Sequence, residues 1–161
     1  MNQDNRVQSE RHGLAMVLDG ERSLLKRFLD LLDQEETLLI AGDTDALMPL
    51  AKEKGEVYRL LQRHHDSRGL LLGRLGLNNT DADLRQACAA MPDALARWDE
   101  ILQLAEQART RNELNGKLII ERMHTNQAAL SVLLTAANKP QLYDAAGTAR
   151  PAGGGRMLGS A

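Results

Sequence analysis

The side chains best able to do chemistry sit in a few short stretches. His64-His65-Asp66 brings together two imidazoles and a carboxylate, the ligand types of a zinc site. Adjacent residues on a helix point about 100° apart, so the two rings cannot readily share one ion, and a polar helix surface is the better account. Glu121-Arg122-Met123-His124 matches the Glu-x-x-His element of di-iron bundles. That site needs a second copy and two further glutamates on facing helices, and no second Glu-x-x-His occurs. Gly116-Lys117 lacks the upstream glycine and the Ser or Thr of a phosphate-binding loop, and Gly153 to Gly155 follow no strand and open no helix. Arg109-Thr110-Arg111 could touch phosphate, but Glu106 and Glu113 flank it and no stacking aromatic accompanies it, which favours a solvated helix face. Ser, Asp and His are scattered without a nucleophile elbow. Cys88 falls on an apolar line and reads as a small core residue rather than a reactive thiol. No catalytic residue and no metal ligand is assigned, so the chain is expected to act without cofactor and not as an enzyme.

The elements that carry these residues read as helices. The balance of 20 basic and 22 acidic side chains leaves −2, so no bulk charge advertises nucleic acid. Phe28, Tyr58, Trp98 and Tyr143 are the aromatic residues; few aromatic and β-branched residues against many Leu, Ala, Glu, Gln and Arg point to an all-α protein. A lone cysteine permits no internal disulfide and fits a reducing compartment. The N-terminal MNQDNRVQSER has no apolar centre of a secretory signal, and no apolar run approaches the roughly 18 residues of a membrane span. A cytoplasmic protein without membrane insertion is expected.

Residues 1–8 read as frayed, with Ser9 an N-cap for the first helix. Doublets at Val17-Leu18, Leu24-Leu25, Leu31-Leu32 and Leu38-Leu39 recur every seven residues and mark one wide apolar stripe, with Glu21 and Glu35 near its edge. Gly42 ends this helix, and Asp43, Thr44 or Asp45 caps the next, so the two are antiparallel neighbours. The second helix carries Leu47, Leu50, Val57, Leu61, Leu71 and Leu75, with Pro49 placed in its first turn or so. Folding the hairpin about Asp43 sets Lys54 one turn from Glu35, and His64, His65 and Arg68 near Glu21 and Asp19. If exposed, such ion pairs are worth only about 0–1 kcal/mol each. Gly76-Leu77-Asn78-Asn79 reads as a loop, and Thr80 with Asp83 resembles a capping box. Pro92 either kinks one long helix or separates a short helix, near residues 81–90, from a long one.

From Leu95 a heptad seam runs to Ala137. Its two lines include Leu95, Leu102, Arg109, Gly116, Met123 and Leu130, and Trp98, Ala105, Asn112, Ile119, Asn126 and Leu133. Arg109, Asn112 and Gly116 form a polar notch in it; a break near 112–116 would divide this helix, and the unbroken register argues against one. The expected architecture is an antiparallel bundle of three to four long helices with coiled-coil-like packing over residues 9–137, followed by a flexible C-terminal tail, 138–161.

Between 114 and 134 the apolar residues exceed what one seam needs: Leu114, Leu118, Ile119, Ile120, Met123, Leu130, Val132, Leu133 and Leu134. Either the first two helices bury them, or they form a surface for a partner's amphipathic helix, with Met123 lending adaptability.

The order of features resembles the FlgN-type flagellar export chaperones. The matching elements are DLLDQEETLLIAGDTDAL (Asp30 to Leu47), LAKEKGEVYRLL (Leu50 to Leu61), RNELNGKLII (Arg111 to Ile120) and LYDAAG (Leu142 to Gly147). The Asn-Gly-x-Leu-Ile run followed by a Tyr-x-x-x-Gly tail is the most specific part, and the resemblance spans roughly residues 10–147. It implies a cytoplasmic chaperone that holds the C-terminal helices of the hook–filament junction proteins FlgK and FlgL, prevents their premature assembly and hands them to the flagellar export gate. By the same resemblance, the helix around Asn115 to Leu134 would hold the substrate, through Leu114, Leu118, Ile119, Ile120, Met123, Leu130, Leu133 and Leu134. Leu142 and Tyr143 would dock on the gate. The rival reading is a self-associating coiled-coil adaptor, in which the same apolar excess forms a homo-oligomer interface.

Overall fold

A computed structural model describes residues 2–138, which form four helices and, among the described residues, no strand: α1 (Gln3–Ala41), α2 (Thr44–Arg74), α3 (Asp81–Ala87) and α4 (Pro92–Asn138). The chain divides into two compact units, Met1–Ile120 and Glu121–Ala161. The expected tail lies outside the described residues, apart from Asn138 at the end of α4. Among the described residues no helix is long and apolar enough to cross a membrane.

In the first unit, α1 and α2 form the expected antiparallel hairpin. Gly42 takes the left-handed conformation (φ 73°) that a residue with a Cβ rarely adopts. Its amide donates to the Leu39 carbonyl and that of Asp43 to the Leu38 carbonyl, which closes α1 in a Schellman motif. Asp43 then caps α2 by accepting from the Ala46 amide at 3.1 Å. The far end of α2 closes the same way, with Gly76 at φ 75° and the Leu77 amide on the Leu72 carbonyl. Thr80 accepts from the Asp83 amide at 3.2 Å, while the Asp83 carboxylate reaches back to the Asn78 amide at 2.7 Å, a capping box displaced by two residues. Pro92 is the first residue of α4, where a missing N–H costs nothing, so α3 and α4 are separate helices.

Two local expectations are corrected. Helix α1 begins at Gln3 rather than after Ser9. Its first turns contain no Pro or Gly, Asp4 favours the positive helix end, and Glu10 is held by Arg74 at 3.5 Å. Pro49 is the sixth residue of α2, deeper than the first turn. The short α3 before Pro92 was one of the two outcomes expected there, and α4 runs unbroken through Gly116 as the heptad register argued.

Two apolar clusters fill the first unit. One joins Leu14, Leu18 and Leu25 of α1 to Leu72 of α2, Leu84 and Cys88 around α3, and Ala94, Trp98 and Ile101 of α4. The other joins Phe28, Leu31 and Leu32 to Leu50 and Val57 and to Ala108. Leu61 borders both. The buried line of α4 is therefore Ala94, Ile101, Ala108 and Asn115, with Trp98 beside it. This is one residue earlier than the leucine-led line, whose Leu102 is exposed and whose Arg109 faces solvent beside Glu106. The reason is steric: alanines let α4 approach closely, so the small residues take the contact and the leucines its flank.

Glu21 and Glu35 are not at the edge of the α1 stripe but inside it, at 8% and 6% exposure. Arg68 grips Glu21 through two contacts of 2.6 and 2.5 Å, and Lys54 lies 2.9 and 3.0 Å from the two Glu35 oxygens. Fourteen residues separate the two acids on α1, and fourteen separate their partners on α2. The Glu21–Arg68 pair is buried, so the small value of an exposed pair does not apply to it. Breaking it by removing one partner leaves an uncompensated buried charge. Asp19, expected near these groups, pairs instead with Arg97 of α4.

Candidate partner-binding surface

Several of the residues first considered for chemistry are held by neighbours within the first unit, while Lys117 and Glu121 to His124 are exposed. The His64 ring lies over Gly20, so close that a Cβ there would sit 2.3 Å from the ring Cε1. His65 Nδ1 is 3.0 Å from Arg68 Nη2. The Arg68 guanidinium in turn stacks 4.7 Å from the Trp98 ring centre, and the indole N–H donates to Asp81 Oδ1 at 2.6 Å. That indole N–H, with the Arg85 guanidinium, holds the Asp81 carboxyl below its ordinary value of 3.8. Arg109 pairs with Glu106 at 2.7 Å, which pulls the Glu106 carboxyl below its usual range. Cys88 is fully buried, and burial pushes its thiol upward, away from the reactive thiolate. Among the described residues no group of three or more His, Cys, Asp or Glu could hold a metal ion.

The Asn-Gly-x-Leu-Ile stretch splits between two roles. Asn115 points inward at 2% exposure, its amide nitrogen 2.9 Å from the Leu32 carbonyl oxygen and 2.8 Å from Glu35 Oε2. Asn112 accepts from Lys54 at 3.0 Å. The expected polar notch is thus displaced from its expected residues. Arg109 and Gly116 lie off the buried line, while Asn115, unnoticed as a buried position, ties α4 to α1. Asn115 marks the boundary of the expected substrate stretch and is not one of its assigned contact residues.

The apolar excess is largely exposed. In the first unit Leu114, Ile119 and Ile120 are exposed and Leu118 is half-buried. In the second unit every side chain from Glu121 to Ala137 is exposed, and Met123, Leu130, Val132, Leu133 and Leu134 are between 54% and 68% accessible. Met123, Leu130 and Ala137 recur every seven residues with Leu133 and Leu134 beside them, one apolar stripe along the helix. Thr125 to Ala137 contains no charged residue, part of the longest uncharged stretch in the chain. Exposed leucines singly need no explanation; here they form a row along a stretch without charges.

The FlgN protein family model matches residues 10–151. The chain belongs to the FlgN family. No curated protein and no solved structure gives a match. FlgN-family membership supports a flagellar export chaperone role in general. Leu142 and Tyr143 fall within the FlgN match but outside the described residues. A trough on the first unit of this FlgN-family chain has no counterpart among the sequence expectations. It is walled by Ala51 and Gly55 of α2 and by Ala105 and Ala108 of α4, over a floor of Leu25 and Phe28. Ala and Gly carry no periodic signal, so only their three-dimensional company reveals it. The exposed Tyr58 on its α2 side was the one available hint.

Proposed function

We propose that this protein is a cytoplasmic flagellar type III export chaperone. It binds the C-terminal amphipathic segments of the hook-associated junction proteins FlgK and FlgL, prevents their premature assembly and delivers them to the export gate. The observation that carries the reading is the exposed, charge-free apolar stripe of Met123, Leu130, Leu133 and Leu134 in a chain of the FlgN family. Ile119, Ile120, Leu114 and Leu118 extend the apolar supply on the first unit. A subunit that travels unfolded through a narrow channel exposes its amphipathic end, and an apolar helix face shields that end without ATP or a catalytic group. Ordering the bound segment costs a few kcal/mol, which keeps release easy. Leu142 and Tyr143 are assigned to gate docking.

The test is co-elution of the full chain with a C-terminal segment of a junction protein on a sizing column. A one-to-one or other fixed-ratio complex is expected, lost in a Met123→Glu, Leu130→Glu double variant that keeps its helical content. Separate elution of wild-type protein and soluble segment would remove the substrate assignment. Tyr143→Ala should retain the segment and weaken gate docking; equal loss of both would remove the separate role of Tyr143.

A further inference from the structure

We propose that the trough on the first unit is a docking site for the stripe Met123–Ala137 of a second copy of this chain. The trough has two lobes, of about 530 and 350 Å³, that share Leu25, Leu61 and Ala105 and so form one open channel between α2 and α4. Along α4 it extends from Trp98 to Asn112, about 21 Å at 1.5 Å per residue. The stripe from Met123 to Ala137 has the same length.

Charge selects the occupant. Each cation that lines the channel already has an acidic partner: Arg68 has Glu21, Lys54 has Glu35, and Arg109 has Glu106. A helix seated here meets apolar walls and closed ion pairs, so an uncharged helix fits and a charged one would be desolvated without compensation. The residues Thr125–Ala137 are the uncharged helix of this chain. Shape agrees, because the walls present Ala and Gly where the stripe presents Leu and Met, large opposite small. On the export-chaperone reading the same stripe receives substrate, so self-association guards it until substrate arrives. That last clause rests on the reading above, whereas the contact itself does not.

The experiment mixes two single-cysteine chains in a Cys88→Ala background, one Ala51→Cys in the trough and one Leu130→Cys on the stripe, under mild oxidation and without substrate. A trough-to-stripe crosslink between chains is expected, more abundant than stripe-to-stripe, and sedimentation should show association that rises with concentration. Gly55→Leu supplies the control, since a Cβ at Gly55 meets nothing within 4 Å and the helix gains by losing a glycine. It should keep or raise Tm, weaken self-association at least tenfold and leave the junction segment bound. Stripe-to-stripe crosslinks in excess, or a monomer at all concentrations, would overturn the proposal. Loss of the junction segment in Gly55→Leu would assign the trough to substrate and overturn it too. Because the crosslink is read without substrate, failure of the chaperone reading leaves its result standing.

Discussion

The amide nitrogen of Asn115 lies 2.8 Å from Oε2 of Glu35, so a neutral side chain on α4 shares a buried carboxylate of α1 with Lys54 of α2. Three helices meet at one acid. Asn115→Leu should cost about 2 kcal/mol in urea-induced unfolding, the worth of a hydrogen bond to a charged group. Asn115→Asp should cost more, because it sets a second carboxylate against the first; a smaller loss than for Leu would contradict the assignment.

Arg68 bridges Glu21 and the Trp98 ring, and both partners are buried. Arg68→Met alone should destabilise by about 3–5 kcal/mol, leaving Glu21 charged and enclosed. Adding Glu21→Leu should recover most of that loss. A double variant whose loss equals the sum of the two single losses in a double-mutant cycle would show that the pair is not coupled.

A glycine in the middle of a helix is replaced by alanine with a gain of about 1 kcal/mol where space allows. At Gly20 the new Cβ would stand 2.3 Å from His64 Cε1, so Gly20→Ala should instead destabilise by about 1–3 kcal/mol. In a His64→Ala background the same change should become stabilising. The reversal of sign, measured by thermal unfolding, is the decisive readout.

Asp81 accepts from the indole of the only tryptophan, and its pKa is lowered chiefly through that hydrogen bond and then through Arg85. A carboxyl depressed in the fold contributes stability above its unfolded value and loses it as pH falls through the folded one. Tryptophan fluorescence should therefore change with a midpoint below 3.8, and Asp81→Asn should remove the transition. A midpoint at or above 3.8 would show that the hydrogen bond does not hold in solution.

Large residues and turn chemistry made much of the fold readable. The leucine doublets placed the stripe of α1, Gly42 and Asp43 placed the hairpin, and Thr80, Asp83 and Pro92 placed the short helix and the start of α4. The contact line of α4 was misread because Ala94 and Ala108 pack by closeness rather than by bulk, so hydrophobic weight pointed one position too late. Asn115 marked the start of the expected substrate stretch, but its burial was not legible, since an amide does not announce whether it faces water or a buried carboxylate. The exposed row around Leu130 was visible as an excess, but a one-dimensional pattern does not state whether such a row is covered or open.

The fourteen-residue spacing of Glu21 and Glu35, matched by that of Lys54 and Arg68, also decides against the most tempting misalignment of the hairpin. Leucine stripes repeat every seven residues and would tolerate sliding by one repeat. Such a slide would set Leu61 or Leu75 against Glu21, and Leu47 or Leu61 against Glu35. Both carboxylates would then be stranded in grease at once. The leucines drive the two helices together almost indifferently to alignment, while two acids and two bases leave a single alignment in which the hairpin can close.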